Sequence, residues 1–155
     1  SLGIMYHAGN GVPQDYEIAV SWYRKAAEQG DAPSQNVLAQ FYYSGTGISK
    51  DRKKAFEWWR KAAAQGDINS QSQLGYMYFK GEGIAQDYEK SAFWYRESAK
   101  QGDAGSQYTL GQMYLHGLGV SKDSENAARW LEMAANQGLE EAVKILYSLP
   151  DNVKN

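Results

Sequence analysis

The 155-residue sequence contains no cysteine, only two histidines and only three prolines. Without cysteine the chain cannot form a disulfide framework, perform thiolate catalysis or build a cysteine-bearing zinc site. No apolar run approaches the roughly 20 residues that a membrane-spanning helix needs, so we expect no membrane insertion. A net charge of −2 provides no general attraction for nucleic acid, and we expect no nucleic-acid partner.

A repeat with a period of 36 residues dominates the sequence. Leucine returns at the same phase, at Leu2, Leu38, Leu74, Leu110 and Leu146. Two glycines, an aspartate and a tryptophan follow it in each period, in the third as Gly81, Gly83, Asp87 and Trp94. Repeats of this length are supersecondary units that share a core with their neighbours. We therefore divide the chain into four repeats, residues 2–37, 38–73, 74–109 and 110–145.

Each repeat has the hydrophobic spacing of two helices. Apolar and small residues recur at i, i+3, i+4 and i+7, which places them on one face of a helix. The first helix of one pair contains Gln35, Leu38, Ala39 and Tyr42, and the second contains Ala55, Trp58, Trp59 and Ala62. Such a short pair cannot bury these side chains alone, so neighbouring repeats must stack. The sequence predicts an all-α solenoid with a tryptophan column in its core, Trp22, Trp58, Trp94 and Trp130.

Capping residues mark the ends of these helices. Asp31 and Asp51 occupy N-cap positions, where a carboxylate accepts otherwise unpaired backbone N–H groups. Gly45 and Gly66 occupy positions where a helix ends in a left-handed residue. Pro33 falls in a first helical turn, where its missing N–H costs little. These local signals agree with the two-helix interpretation.

The repeated residues resemble the Sel-one-like repeat family, which is related to the tetratricopeptide repeats. The resemblance is carried by segments such as Leu74-Gly75-Tyr76-Met77-Tyr78, Gly81-Glu82-Gly83-Ile84 and Gln101-Gly102-Asp103-Ala104. It implies a right-handed superhelix of helix-turn-helix repeats whose first helices line a concave surface. In the family this surface holds a partner.

The last repeat departs from the pattern. Leu139, Val143 and Pro150 replace the usual Asp, Gln and Tyr, which favours a terminating cap helix at about 140–149. We expect one solenoid domain over residues 1–149, with residues 150–155 as a C-terminal tail. Because the chain enters midway through a first helix, we also expect a missing upstream half-repeat and possible self-association through the incomplete N-terminal repeat.

The sequence offers little that resembles catalytic or cofactor chemistry. The paired glycines lack the third glycine of a dinucleotide fingerprint in every repeat, and we interpret them as turns. The two histidines, His7 and His116, lie three repeats apart, so a shared metal is not expected. No nucleophile, base and acid converge, and we predict a non-enzymatic protein without metal or cofactor.

Binding is expected at columns that vary between repeats and lie opposite the buried stripe of each first helix. We predict a partner-binding concave face composed of Asn36, Gln40, Ser44, Ser72, Gln73, Tyr76, Lys80, Tyr108, Gln112 and His116. Tyr76 and Tyr108 are the sharpest candidates, because an aromatic ring on an exposed face suits a binding hot spot. The alternative is that each ring simply lies over a neighbouring helix.

A basic cluster distinguishes the second repeat. Residues 38–73 carry a net charge of +3, against −2, −1 and −2 for the other three repeats. The excess comes from Lys50, Arg52, Lys53, Lys54, Arg60 and Lys61. This cluster is either a solvated outer face or a patch for an acidic partner.

The combined prediction is a scaffold or adaptor that binds another protein or an extended peptide on its concave face. The resemblance implies a bacterial adaptor in envelope assembly, signalling or host interaction, and favours a periplasmic or secreted location. One alternative is an immunity protein that neutralises a cognate bacterial toxin. Another is an enzyme acting on cell-wall or β-lactam substrates, which the missing catalytic set argues against.

Overall fold

The computed structural model describes residues 2–150, and within this range the chain forms nine α-helices and no strand. In chain order they are four consecutive pairs followed by a ninth helix. The helices are α1 Leu2–Ala8, α2 Tyr16–Glu28, α3 Ala32–Ser44, α4 Arg52–Ala64, α5 Ile68–Lys80, α6 Tyr88–Lys100, α7 Ala104–His116, α8 Ser124–Asn136 and α9 Glu140–Ser148. The predicted all-α solenoid and its C-terminal helix are confirmed.

Aspartate N-caps begin most of these helices, as the sequence predicts. The Asp31 carboxylate accepts the Ser34 N–H at 2.9 Å, and the Asp51 carboxylate accepts the Lys54 N–H at 3.0 Å. This backbone hydrogen bond is the largest contribution that holds the pKa of Asp51 below its ordinary value. Pro33 lies in the first turn of α3. The caps therefore satisfy N–H groups that a helix start leaves unpaired.

The paired glycines form turns, and the structure shows why both are glycine. Gly45 ends α3 in the left-handed region at a φ of 82°. Gly47 also has positive φ, and a Cβ there would lie 2.6 Å from the backbone of Tyr16, at the start of the preceding second helix. The equivalent Cβ on Gly119 would overlap the Tyr88 carbonyl oxygen. The second glycine thus allows one loop to approach the previous helix start closely.

The described residues form two compact units. The first contains the residues up to Gln73 together with Glu82–Ile84, and the second contains Leu74–Gly81 together with the residues from Ala85 onward. In the first unit α1 packs on α2, α2 on α3 and α3 on α4. In the second unit α6 packs on α7, α7 on α8 and α8 on α9. In both units, these consecutive helices therefore pack directly against each other.

The buried aromatic column is not the one predicted. Trp22 is 37% exposed, and Trp58, Trp94 and Trp130 are only half-buried. The residue after each tryptophan is buried instead, namely Tyr23, Trp59, Tyr95 and Leu131. One residue turns the side chain by about 100° around a helix, so a shift of one position moves the column off the core face. The prediction of a fully buried tryptophan column was wrong.

The two ends of the chain can be compared with the predicted domain limits. Leu2, Ile4 and Met5 are exposed on α1. The predicted cap helix at about 140–149 corresponds to α9, Glu140–Ser148. Of the predicted tail at 150–155, only Pro150 is described, and the rest lies outside the described residues. The repeat boundaries, the single domain and self-association through the N-terminal repeat stay predictions.

Candidate functional site

A groove of about 450 Å³ opens on the first unit, and we call it the α3 groove. Helix α3 supplies half of its wall, while α1, α2, α4, α5 and the turn after α3 supply the rest. Its lining is His7, Tyr16, Val37, Gln40, Phe41, Tyr43, Ser44, Thr46, Trp59 and Gln73. None of these side chains is a carboxylate, a lysine or an arginine, so the wall combines aromatic rings with amides and hydroxyls.

Aromatic rings form one end of the α3 groove. The His7 ring meets the Phe41 ring edge-on at 5.2 Å and the Tyr16 ring at 5.9 Å. The Tyr16 and Phe41 rings are 6.3 Å apart, also edge-on. Edge-to-face packing of this kind fixes each ring against its neighbours. This end therefore presents a preformed apolar surface.

A hydrogen-bond relay beneath the groove orients Gln40. The Trp59 indole N–H donates to the Asn36 side-chain oxygen at 2.9 Å. Indole is a donor only, so it determines that Asn36 turns its oxygen toward Trp59. The Gln40 amide nitrogen donates to the same oxygen at 3.3 Å. Because that nitrogen is directed at Asn36, the Gln40 side chain keeps its oxygen as the acceptor available to a ligand.

A second network holds Tyr43. Its hydroxyl donates to the Glu82 carboxylate at 2.7 Å, and its ring lies 5.4 Å from the Trp59 ring. The Arg52 guanidinium lies 5.6 Å from the centre of the Tyr43 ring, and its Nε is 3.4 Å from the same carboxylate. Tyr43 is thereby fixed between Trp59 and an ion pair. This network places the Arg52 and Glu82 ion pair beside a wall that has no carboxylate, lysine or arginine of its own.

Hydroxyl groups complete the rim where α3 ends. The Ser44 hydroxyl donates to the Thr46 hydroxyl oxygen at 2.9 Å, and the Thr46 backbone N–H donates to Ser44 Oγ at 3.2 Å. Gly45, the left-handed cap of α3, lies between them. The turn therefore brings two hydroxyls to the groove in a defined geometry.

The structure divides the predicted binding residues between the two units. Gln40, Ser44 and Gln73 line the α3 groove. Asn36 is only 7% exposed, so its predicted place on an exposed face was wrong: the Trp59 indole needs a buried acceptor. Ser72 is half-buried, and its hydroxyl donates to the Asn69 carbonyl oxygen at 2.9 Å. Neither Asn36 nor Ser72 lines the groove.

The other five predicted residues belong to the second unit, namely Tyr76, Lys80, Tyr108, Gln112 and His116. The Tyr76 ring packs against a core that includes Tyr95, and the Tyr108 ring packs against Leu131. Gln112 donates to the Tyr108 hydroxyl at 3.1 Å. Both rings are half-buried, which matches the alternative in which they lie over a neighbouring helix. A binding role for these five residues stays a prediction.

Sequence reasoning missed most of the groove. The predicted binding residues did not include Val37, nor a further group at positions interpreted as core, turn or helix end, namely His7, Tyr16, Phe41, Tyr43, Thr46 and Trp59. One available signal was the pairing of Asn36 with Trp59, since the equivalent pair two periods later is Tyr108 with Leu131. A polar residue at a core-facing position requires a polar partner, and that requirement points to the groove.

Two other kinds of site were sought in the part of the chain that the structure describes. No group of three or more histidine, aspartate or glutamate side chains there is placed to hold a metal ion. No helix there is both long and apolar enough to cross a membrane.

A family model described as the Sel1 repeat matches residues 1–31, 32–67, 68–103 and 104–139. The chain belongs to the Sel1 repeat family. The model uses the same 36-residue period as the sequence analysis, with a different starting phase. Sel1 repeat proteins generally mediate protein–protein interactions, and the family is generally non-enzymatic. No curated protein sequence matches the chain.

Solved structures of Sel1-type proteins have the same fold. A Sel1 repeat protein from Oxalobacter formigenes is 40% identical with a TM-score of 0.89, over 94% of this chain and 60% of that one. A protective antigen of uropathogenic Escherichia coli with an SLR fold is 40% identical with a TM-score of 0.91, over 94% of this chain and 31% of that one. Cysteine-rich protein B of Helicobacter pylori is 27% identical with a TM-score of 0.68, over 86% and 96%. The chain thus spans less than two thirds of the first two.

Proposed function

We propose that this Sel1 repeat chain is an interaction module that binds an extended segment of a partner protein in the α3 groove. The observation that supports this most strongly is the relay from Trp59 through Asn36 to Gln40, which holds a hydrogen-bond acceptor at the groove surface. Burying a polar relay in a repeat core has a cost in stability. The last repeat avoids this cost, because it has the buried Leu131 at the position of Trp59. A binding role explains why the polar version is kept here.

The groove suits a peptide chemically. An extended peptide presents a backbone N–H every second residue on one side, and Gln40 offers a carbonyl oxygen to receive one. The ring surface of Phe41 and Tyr16 accepts an apolar or aromatic side chain of the same segment. The hydroxyls of Ser44 and Thr46 can exchange hydrogen bonds with the peptide where α3 ends. Because the rings are already packed, little ordering is needed on binding.

A blocking substitution tests the proposal. Ser44 is the exposed last residue of α3, and Ser44→Trp places a large ring in the groove without replacing a residue of the buried Trp59 and Asn36 pair. His116 ends α7 at the equivalent repeat position in the second unit, so His116→Trp is the matched control. Wild type and both variants are used to capture proteins from a bacterial extract, followed by mass spectrometry and titration with the purified partner.

We expect one protein to be retained by the wild type and by His116→Trp, and lost by Ser44→Trp. The purified partner should then bind Ser44→Trp at least about tenfold more weakly. Retention by all three proteins, or loss only with His116→Trp, would contradict binding in the α3 groove. Helical circular dichroism of both variants must match the wild type for either result to count.

A further inference from the structure

We propose that the partner segment is acidic and places a carboxylate at the end of the α3 groove where Lys50 and Arg52 lie. This inference rests on the proposed function, because it names the ligand chemistry of the same groove. The carboxylate would follow, along an extended peptide, the apolar side chain that occupies the ring surface of Phe41 and Tyr16.

The local charge favours such a ligand. The second repeat carries +3, while the others carry −2, −1 and −2, and its cations begin at the turn that closes the α3 groove. The groove wall itself contains no carboxylate that would repel an acidic segment. The nearest one, on Glu82, is paired with Arg52 and accepts the Tyr43 hydroxyl. Electrostatic complementarity therefore selects acidic over basic peptides.

Two cations are attached to the groove through named contacts. A Cβ built on Gly45 would lie 3.0 Å from the Cβ of Lys50, and Gly45 separates the groove residues Ser44 and Thr46. The backbone and Cβ of Lys50 therefore lie beside the hydroxyl rim. The Arg52 guanidinium covers the ring of Tyr43, another groove residue, at 5.6 Å. Lys50 and Arg52 are thus each anchored beside a groove residue near the C-terminal end of α3.

Internal contacts distinguish Lys50 and Lys53 from the rest of the cluster, which includes Arg52, paired with Glu82 at 3.4 Å. Lys54 pairs with Asp51 at 3.6 Å, Arg60 pairs with Glu57 at 2.7 Å, and the Lys61 ammonium lies 4.0 Å over the Trp58 ring. The side chain of Lys50 is exposed, and so is that of Lys53. Positive potential that other carboxylates do not screen is therefore concentrated at the turn and the start of α4.

The composition of α4 adds to this potential. The other second helices place a glutamate one residue after their first, as Glu17, Glu89 and Glu125, whereas α4 has Lys53 there. The first turn of α4 contains Arg52, Lys53 and Lys54 and no acid. Cations are disfavoured by the positive end of the helix dipole, so a bound carboxylate near them gains more than it would beside α2 or α6.

Peptide selection tests the ligand chemistry directly. A display library of random peptides of about 12 residues, long enough to cross the groove when extended, is selected on the immobilised wild-type chain. Selected peptides are then synthesised with a fluorophore and titrated by anisotropy at about 50 mM and about 300 mM salt. The variants are Lys50→Glu, Lys50→Gln and Ser44→Trp. Lys122→Glu is the matched control, because Lys122 follows Gly117 as Lys50 follows Gly45.

We expect aspartate and glutamate to be enriched among selected peptides. Lys50→Glu should weaken their binding about tenfold and Lys50→Gln about threefold, with Lys122→Glu within about twofold of wild type. Higher salt should weaken wild-type binding more than binding to Lys50→Gln. Glutamine stands at this position in the first and third repeats as Gln14 and Gln86, so Lys50→Gln keeps a residue that the repeat accommodates.

The remaining outcomes separate the two proposals. Peptides that lose binding with Ser44→Trp but show no acidic enrichment and no response to either Lys50 variant would overturn the acidic ligand and leave the groove function standing. Acidic peptides that respond equally to Lys50→Glu and Lys122→Glu would also overturn it, because the attraction would then be general. Selected peptides that bind Ser44→Trp as tightly as wild type would overturn both proposals.

Discussion

The two units place different residues at equivalent repeat positions, and the differences coincide with the groove. In the first unit Asn36 accepts the Trp59 indole N–H, while in the second unit Tyr108 packs against Leu131 at the same two positions. Some other positions keep the same contact in both units. Gln65 donates to Gln35 at 2.8 Å, and its equivalent Gln137 donates to Gln107 at the same distance.

This contrast separates what builds the solenoid from what gives one unit a site. The glutamine pairs, the aspartate caps and the left-handed glycines recur, because each satisfies the backbone of a helix end or joins two helices. The Asn36 and Trp59 pair does not recur, and it lies directly beneath the α3 groove. Substituting a recurring residue should therefore have the same effect on stability in either unit. Substituting Asn36 or Trp59 should have an effect that the equivalent change in the second unit does not have.

The largest expected effect is from the buried indole. Trp59 is 1% exposed, and we expect Trp59→Ala to lower the free energy of unfolding by about 3–5 kcal/mol through lost burial and a cavity. Trp58 is half-buried on the same helix, so Trp58→Ala should cost about 1–2 kcal/mol. Urea denaturation of both variants measures the difference. Equal losses of stability would contradict the conclusion that Trp59, rather than Trp58, belongs to the buried column.

The polar pair should respond less to substitution, but with a characteristic coupling. Asn36→Leu leaves the Trp59 indole N–H buried without its acceptor and should cost about 1–3 kcal/mol. Adding Trp59→Phe removes the donor as well, so the double variant should be closer to Trp59→Phe alone than additivity allows. A double-mutant cycle by urea denaturation gives the coupling. A coupling of zero would show that this hydrogen bond does not stabilise the first unit.

Two equivalent serines should respond with opposite sign. The Ser70 hydroxyl is buried without a hydrogen-bond partner among the described residues, because Ala62 occupies the position that Ser98 has in the second unit. Ser106, the equivalent of Ser70, donates to Ser98 at 3.1 Å. Ser70→Ala should therefore raise the free energy of unfolding by about 1 kcal/mol, and Ser106→Ala should lower it by about 1 kcal/mol. Thermal denaturation distinguishes them, and a decrease for both would contradict the comparison.

The smallest effect is on the pH dependence of stability. Backbone N–H donation lowers the pKa of Asp51 and Asp123, and the hydrogen bond with the Lys90 ammonium lowers that of Asp87. A lowered folded pKa gives stability that is present above the unfolded pKa of about 3.9 and is lost as pH falls through the folded value. The melting temperature should therefore decrease when the pH is lowered below about 4.

An asparagine variant provides the control for this pH effect. Asparagine also caps helices, so Asp87→Asn should keep most of the stability at neutral pH and reduce the loss in acid. Melting temperatures of wild type and Asp87→Asn are compared between about pH 2 and about pH 7. An acid loss of the same size in both would exclude Asp87 as a contributor.

Local sequence features predicted the fold well. Asp31, Asp51, Gly45 and Gly66 act through the adjacent backbone, so their roles follow from a few residues of sequence. The prediction of a buried tryptophan column was wrong because periodicity alone does not decide which of two neighbouring rings, such as Trp58 and Trp59, faces the core. The indole of Trp59 is buried by contacts with α3, which the local pattern of α4 does not contain.

The groove was harder to predict because it depends on contacts between helices. Gln40, Ser44 and Gln73 were found, since they lie opposite the buried stripe of their own helices. Tyr43 was missed because its orientation depends on Glu82, 39 residues away, and on Arg52. Asn36 was assigned to the surface because helical spacing places it opposite the buried stripe of α3, and only the buried donor of Trp59 reverses that expectation.

The most direct test of the groove is a two-dimensional ¹H–¹⁵N spectrum recorded while the partner segment or a selected peptide is added. The indole N–H of Trp59 reports on the relay beneath the α3 groove, and that of Trp130 reports on a half-buried ring in the second unit. Trp59→Phe and Trp130→Phe assign the two signals. We expect the Trp59 signal to shift with the ligand and the Trp130 signal to stay in place. A shift of Trp130 with an unchanged Trp59 would contradict binding in the α3 groove.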